Sequence, residues 1–159
     1  MKFEFELSEN EFEQKLKRQT IISKKFINNA FNYVFSDSNE FRTPFPEYIR
    51  DELSYTTFRL FMEYAFKIKD NEIDKIRFSE KFNEILIKVG LSLVKSEDER
   101  VSICYPFLPR VGDVAIAPNN KESIVRNREL ITKKGKKILR IYMIAEDTKQ
   151  VWDSDFALN

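Results

Sequence analysis

Ile138-Leu-Arg-Ile-Tyr-Met-Ile-Ala145 is apolar at every position but Arg140. In an extended chain it carries apolar side chains on both faces, as a strand in the middle of a sheet does. Turn-forming stretches bound it. Lys133-Lys-Gly-Lys-Lys137 precedes it as a basic turn, and Glu146-Asp-Thr-Lys-Gln150 follows as another, before Val151-Trp152 begins a last strand. Upstream, Val111-Gly-Asp-Val-Ala-Ile-Ala117 reads as a turn and then a strand. The C-terminal half is therefore a small β-rich half. Residues 119–131 fit either a short helix or an irregular excursion.

Towards the N-terminus the hydrophobic period changes. Met1-Lys-Phe-Glu-Phe-Glu-Leu7 alternates and predicts a half-buried strand that pairs with the C-terminal strands. Ser8-Glu-Asn-Glu11 has capping-box spacing, and Phe12, Leu16, Ile22, Phe26, Ala30 and Val34 then follow one helical face. After a connector stiffened by Pro44 and Pro46, a second helix from Glu47 to Ile68 is apolar on more than one face. Such a helix is buried on more than one face, which makes it the central core helix. A short helical piece at Glu72–Ile76 leads to a helix capped by Ser79, with Phe82, Ile85, Leu86 and Val89 inward and Gly90 in the C′ position. Leu91–Lys95 and Arg100–Tyr105 then read as two strands of a hairpin around Ser96-Glu-Asp-Glu99. The expected fold is α+β in one compact domain. A helical half with a winged-helix-like helix–hairpin unit precedes the β-rich half, and the only candidate sub-domain boundary is Pro106–Pro109.

Composition narrows the chemistry. There is no histidine and a single cysteine in 159 residues. Histidine is the side chain whose ordinary pKa lies near neutrality and the commonest metal ligand. Without it the chain holds no Ser-His-Asp or Cys-His machinery, and one thiol cannot hold a structural zinc. Cys104 lies in the apolar run Val101–Tyr105 and reads as a small buried hydrophobe. Fifteen phenylalanines predict an aromatic-rich core. The charges balance, 27 Lys+Arg against 26 Asp+Glu, so any binding to a polyanion needs a local patch. No leader is read at the N-terminus, and no apolar run approaches the ~20 residues that span a bilayer. The expected location is cytoplasmic, with no membrane partner. No cofactor or metal is expected, since three scattered glycines build neither phosphate-binding loop.

Three constellations could still carry function. The order of long helix, short helix, capped helix and hairpin between Pro46 and Tyr105 resembles a winged helix. In that arrangement Arg77, Ser79, Lys81, Asn83 and Lys88 would face a nucleic acid, although Glu80, Glu84 and the acidic hairpin tip at Glu97, Asp98 and Glu99 oppose one. The densest basic region, Arg126, Arg128, Lys133, Lys134, Lys136, Lys137 and Arg140, could bind phosphates. It also fits a solvated turn. Asp113, with Asp147-Thr-Lys149 after an apolar strand, resembles the acidic-x-lysine pattern of metal-dependent nucleases. There two carboxylates would hold a divalent ion and the lysine would steady developing charge. The same residues also read as an ordinary hairpin turn.

By exclusion, the first expectation is a non-enzymatic binding protein, an adaptor, inhibitor or regulatory subunit with a protein partner. Phe41, Phe45 and Phe107, set in proline-rich connectors, are the candidate partner-binding aromatics. A nucleic-acid-binding protein is the alternative and a nuclease the third reading. The sequence does not specify an oligomeric state.

Overall fold

Helices α1 (Glu9–Val34), α2 (Arg50–Phe66), α3 (Lys75–Leu93) and α4 (Glu97–Cys104) precede strands β1 (Val114–Ile116), β2 (Glu122–Lys133), β3 (Lys136–Ala145) and β4 (Val151–Ala157). The fold is α+β, as expected. The computed structural model describes residues 9–36, 42–72 and 74–159, with side chains from residue 22 onward except at 70. The expected strand Met1–Leu7, the capping box at Ser8 and Phe41 lie outside the described residues. The chain divides into two compact units, Met1–Val94 and Lys95–Asn159, and Pro106–Pro109 lies within the second. Among the described residues no helix is long and apolar enough to cross a membrane.

In the first unit α2 packs on both α1 and α3, the role expected of a helix apolar on several faces. A 3-10 turn, Glu47–Ile49, leads into it, and Asp51 and Glu52 in its first turn suit the helix dipole. Phe61 of α2 is fully buried in a knot of phenylalanines. Phe26 stacks on Phe61 at 5.4 Å between centroids, and Phe78 meets the two edge-on at 5.5 and 5.3 Å. Edge-to-face geometry sets the positive rim of one ring against the negative face of the next, worth about 0.5–1.5 kcal/mol per pair beyond burial. The ring contacts continue from Phe82 to Phe31, from Phe31 to Phe35, and from Phe35 to Phe45 at 6.4 Å. The aromatic core predicted from composition is thus concentrated in this unit.

Two expectations fail around α3. The helix starts at Lys75, not Ser79, because Asp74 supplies the cap: its carboxylate accepts from the Ile76 N–H at 2.9 Å. Nor is there a hairpin after it. The helix continues through Gly90 to Leu93, and Ser96-Glu-Asp-Glu99 opens α4. The Ser96 hydroxyl accepts from the Glu99 N–H at 3.2 Å, while the Glu99 carboxylate accepts from the Ser96 N–H at 2.9 Å. This reciprocal capping box satisfies two amides that a helix start otherwise leaves unpaired. The winged-helix-like unit therefore has no wing.

The second unit is an antiparallel meander in the order β1-β2-β3-β4. β3, the strand apolar on both faces, is interior as expected. β2 corrects the reading of residues 119–131, where a helix or irregular excursion was expected. A bulge between Val125 and Asn127 hides its alternation, since Arg126 is the extra residue that no partner opposes. Lys134 and Gly135, with φ of 52° and 75°, join β2 to β3 in the two-residue turn whose twist suits the strands. The inner sheet face, Val125, Leu139, Ile141 and Met143, buries against Val101 of α4 and Leu108.

Candidate binding surfaces

The side chains singled out for nucleic acid do not form one surface. At about 100° per residue on α3, Arg77, Lys81 and Lys88 lie on one flank and Ser79 and Asn83 on the other. Lys81 is engaged locally, 3.0 Å from Glu84 and 5.6 Å from the centre of the Tyr64 ring.

The basic segment separates into three environments. Past the bulge, Arg128 turns inward, and its side chain is only 2% exposed. Its Nε lies 2.5 Å from one Asp98 carboxylate oxygen and its Nη2 2.9 Å from the other. It also donates to the Ser102 hydroxyl, to the Asp98 carbonyl at 3.0 Å and to the Pro109 carbonyl at 3.2 Å. This arginine ties β2 to α4 and is unavailable to a phosphate, which corrects its place among the binding candidates. Arg140 faces outward but grips Asp155 with two bonds of 2.7 and 2.8 Å, with Asp153 at 3.9 Å. Those bonds hold the Asp155 carboxyl below its usual range and push the guanidinium up. Arg126, Lys133, Lys134, Lys136 and Lys137 remain exposed. The four lysines crowd the β2–β3 tip, where Lys133 sits directly opposite Lys136.

The nuclease-like set does not converge. Asp113 lies level with Val125 of β2, to whose N–H its carbonyl accepts at 2.9 Å, and its carboxylate accepts from the Arg110 N–H at 2.7 Å. Ser123 pairs with Ala145, so Asp147 lies beyond that row, about four residues or ~13 Å along the strands from Asp113. Asp147 accepts from the Thr148 N–H at 2.7 Å and from Lys121 at 3.3 Å, and both lower its pKa. Lys149 has φ of 56° in the β3–β4 turn, and its N–H donates to Ala145 at 2.9 Å. Among the described residues no group of three or more Asp, Glu or Cys could hold a metal ion.

Of the candidate aromatics, Phe45 is 4% exposed against Phe35 and belongs to the core, which corrects its assignment to a partner surface. Phe107 is 78% exposed, beside Tyr105.

The sequence reading missed the outer face of the sheet. Register aligns Val114 with Ile124, Ile124 with Ile144 and Ile144 with Val151. One apolar side chain from each strand thus forms a single cross-strand row, about 14 Å across at the usual strand spacing. Val114 and Val151 at its ends are exposed, as is Ile116 beside it. A shallow cavity of about 330 Å³ borders the row, lined by Val114, Ile124 and the Lys121–Asp147 pair. On the other side lies a polar belt of Glu129, Arg140 and Asp155 in one register row, with Tyr142 donating to Glu129 at 2.6 Å. That bond raises the Tyr142 phenol above its ordinary pKa. An apolar strip between polar margins is the anatomy of a protein interface. The signal in the sequence was β3 itself, a strand apolar on two faces of which one is left to solvent. No protein-family model, no curated protein and no solved structure matches this chain.

Proposed function

We propose that this chain is a cytoplasmic, non-enzymatic binding protein that engages a protein partner through the outer face of its four-stranded sheet. The observation that carries the reading is the row Val114–Ile124–Ile144–Val151, in which all four strands present a β-branched side chain away from the core. β-Branched side chains are stiff, so little rotamer freedom is lost when a partner covers them. The neutralised belt beside the row, where Arg140 already holds Asp155, fixes orientation without leaving an unpaired buried charge. The test is capture of partners from source cells by the full chain, by an Ile116→Asp/Val151→Asp variant and by a Tyr55→Asp control on α2. A partner kept by the control and lost by the sheet variant supports the reading. A partner kept by all three refutes it.

One observation favours nucleic acid as a second reading: four lysines and Arg126 remain exposed on and near one hairpin. About four or five phosphate contacts there would make affinity fall steeply with salt. Anisotropy titrations of labelled single- and double-stranded probes across a salt series test it. Binding abolished by Lys133→Gln/Lys136→Gln favours it, and no binding at low salt removes it.

A further inference from the structure

We propose that the second unit carries a separate small-molecule site, a groove for a ligand with an anionic head and a short apolar body such as a medium-chain carboxylate. The groove lies between α4 and the tip end of the sheet and measures about 430 Å³, within the ~300–1,000 Å³ usual for small-molecule sites. Its floor is apolar: Val101, Leu130, Tyr105 and Leu158 all belong to or pack against the core of this unit. Tyr105 donates to the Asn159 carbonyl at 2.7 Å and so pins the last strand's extension to the end of α4.

The rim has the opposite character. Arg100, Lys136 and Lys137 line it, against one side-chain carboxylate, Glu97, at 4.0 Å from Arg100. Two of these cations come from the hairpin tip, which is crowded with like charge. Lys136 faces Lys133 directly across the pair, and like charges in that position weaken a hairpin, a repulsion that Asp155, 3.9 Å from Lys133, offsets only in part. An anion at the rim relieves this repulsion while its apolar body covers the floor. Charge and shape thus select one kind of occupant. A cationic amphiphile is repelled, an uncharged alcohol gains only the floor, and inorganic phosphate gains only the rim.

The chain contains its own reporter. Cys104, the sole cysteine, is exposed where a buried position was expected, and it lines the groove, so its alkylation rate reads occupancy without a mutation. The experiment measures alkylation of the full chain against decanoate below its aggregation limit, with octyl phosphate, decanol, decyltrimethylammonium and inorganic phosphate as further arms. The expected result is saturable protection, several-fold in rate, by decanoate and octyl phosphate, weak protection by decanol and none by the other two. The ratio of decanoate to octyl phosphate affinity shows which head is preferred. Lys137→Gln and Arg100→Gln should each weaken decanoate several-fold, with Lys81→Gln on α3 as an unaffected control. Equal protection by decanol or decyltrimethylammonium, or unchanged affinity in both rim variants, overturns the proposal. So does unchanged alkylation at millimolar decanoate with no heat of binding by calorimetry.

Discussion

Asp98→Ala should destabilise the second unit more than Arg128→Met, although each removes one half of the same ion pair. The reason is the asymmetry of exposure, 2% for the arginine side chain and 53% for the carboxylate. Without Asp98 the guanidinium stays buried, with two backbone carbonyls and the Ser102 hydroxyl as its remaining acceptors. Stranding a buried charge costs about 3–5 kcal/mol. The half-exposed side lets water reach the site and screens the pair, which puts the loss at about 3 kcal/mol. Without Arg128 the carboxylate simply rehydrates. The loss is then five charge-assisted hydrogen bonds, whose gross worth is largely offset by rehydration of the half-exposed carboxylate and by the apolar surface of methionine, leaving about 1.5 kcal/mol. The double variant should sit close to Arg128→Met alone, apart from ~0.5 kcal/mol for an acidic residue lost from the first turn of α4. Urea unfolding followed by fluorescence reports on this unit, because Trp152 is the only tryptophan and packs against its core. At a slope of about 1.5 kcal/mol/M, Asp98→Ala should lower the midpoint by about 2 M and Arg128→Met by about 1 M. Arg128→Met proving the costlier, or the two losses adding in full, would refute the argument.

Lys134 holds a φ of 52° in a turn position that asparagine or glycine fills at lower cost. Lys134→Asn should raise the second unit's stability by about 1 kcal/mol, read by the same fluorescence, and an unchanged midpoint counts against the turn assignment. In the first unit the fully buried Thr57 hydroxyl has no hydrogen-bond partner among the described residues. Thr57→Val keeps the shape and should stabilise by about 1 kcal/mol in urea melts of helical circular dichroism; a loss of stability would reveal a partner for the hydroxyl. Phe45→Ala should cost about 3 kcal/mol and Phe107→Ala almost nothing in the same measurements, so equal effects would contradict their burial. Tyr142 should ionise above the ordinary phenol range in an ultraviolet titration. Its neutral phenol contributes stability below pH 10 that is lost as pH rises through its raised folded value. Glu129→Gln should bring that ionisation down, and no movement would discount the 2.6 Å bond.

Local periodicity was enough for α2, with its several apolar faces, and for the interior place of β3. It failed where two signals competed. Leu91-Ser-Leu-Val94 fits a strand or the last turn of a helix, and the strand reading turned Ser96-Glu-Asp-Glu99 into a hairpin tip. The serine-to-glutamate spacing was itself a helix signal, the same one read at Ser8, and in the structure both halves of the box are bonded. β2 was illegible for another reason. From Ile124 to Leu130 no period fits, because the bulge at Arg126 moves every later residue to the opposite face. That same step explains why Arg128, one residue in a run of cations, is buried while Arg126 is exposed. A density of basic residues in sequence therefore overcounts the charge a ligand can reach.

The outer face of the sheet illustrates a stronger limit. Val114 and Val151 stand at opposite edges of the sheet and far apart in the chain, and each looks like one member of an ordinary alternation. Only three successive antiparallel registers bring them into one row with Ile124 and Ile144. Moving any one strand by a single residue would send its member of the row into the core and replace it with a neighbour of the other face. The row is thus a property of the pairing as a whole. Since α4 and Leu108 already occupy the inner face, burial in this unit does not require the outward isoleucines of β3. Neither hairpin geometry nor turn chemistry requires a valine at each end. A solvated antiparallel face normally alternates to polar residues, as this one does at Glu129, Arg140 and Asp155. Apolar side chains are kept at the Val114–Ile124–Ile144–Val151 row, given up through Asn127–Tyr142–Asp153 and Glu129–Arg140–Asp155, and resumed at Ile131–Ile138–Ala157, so each apolar patch on this face is of limited extent.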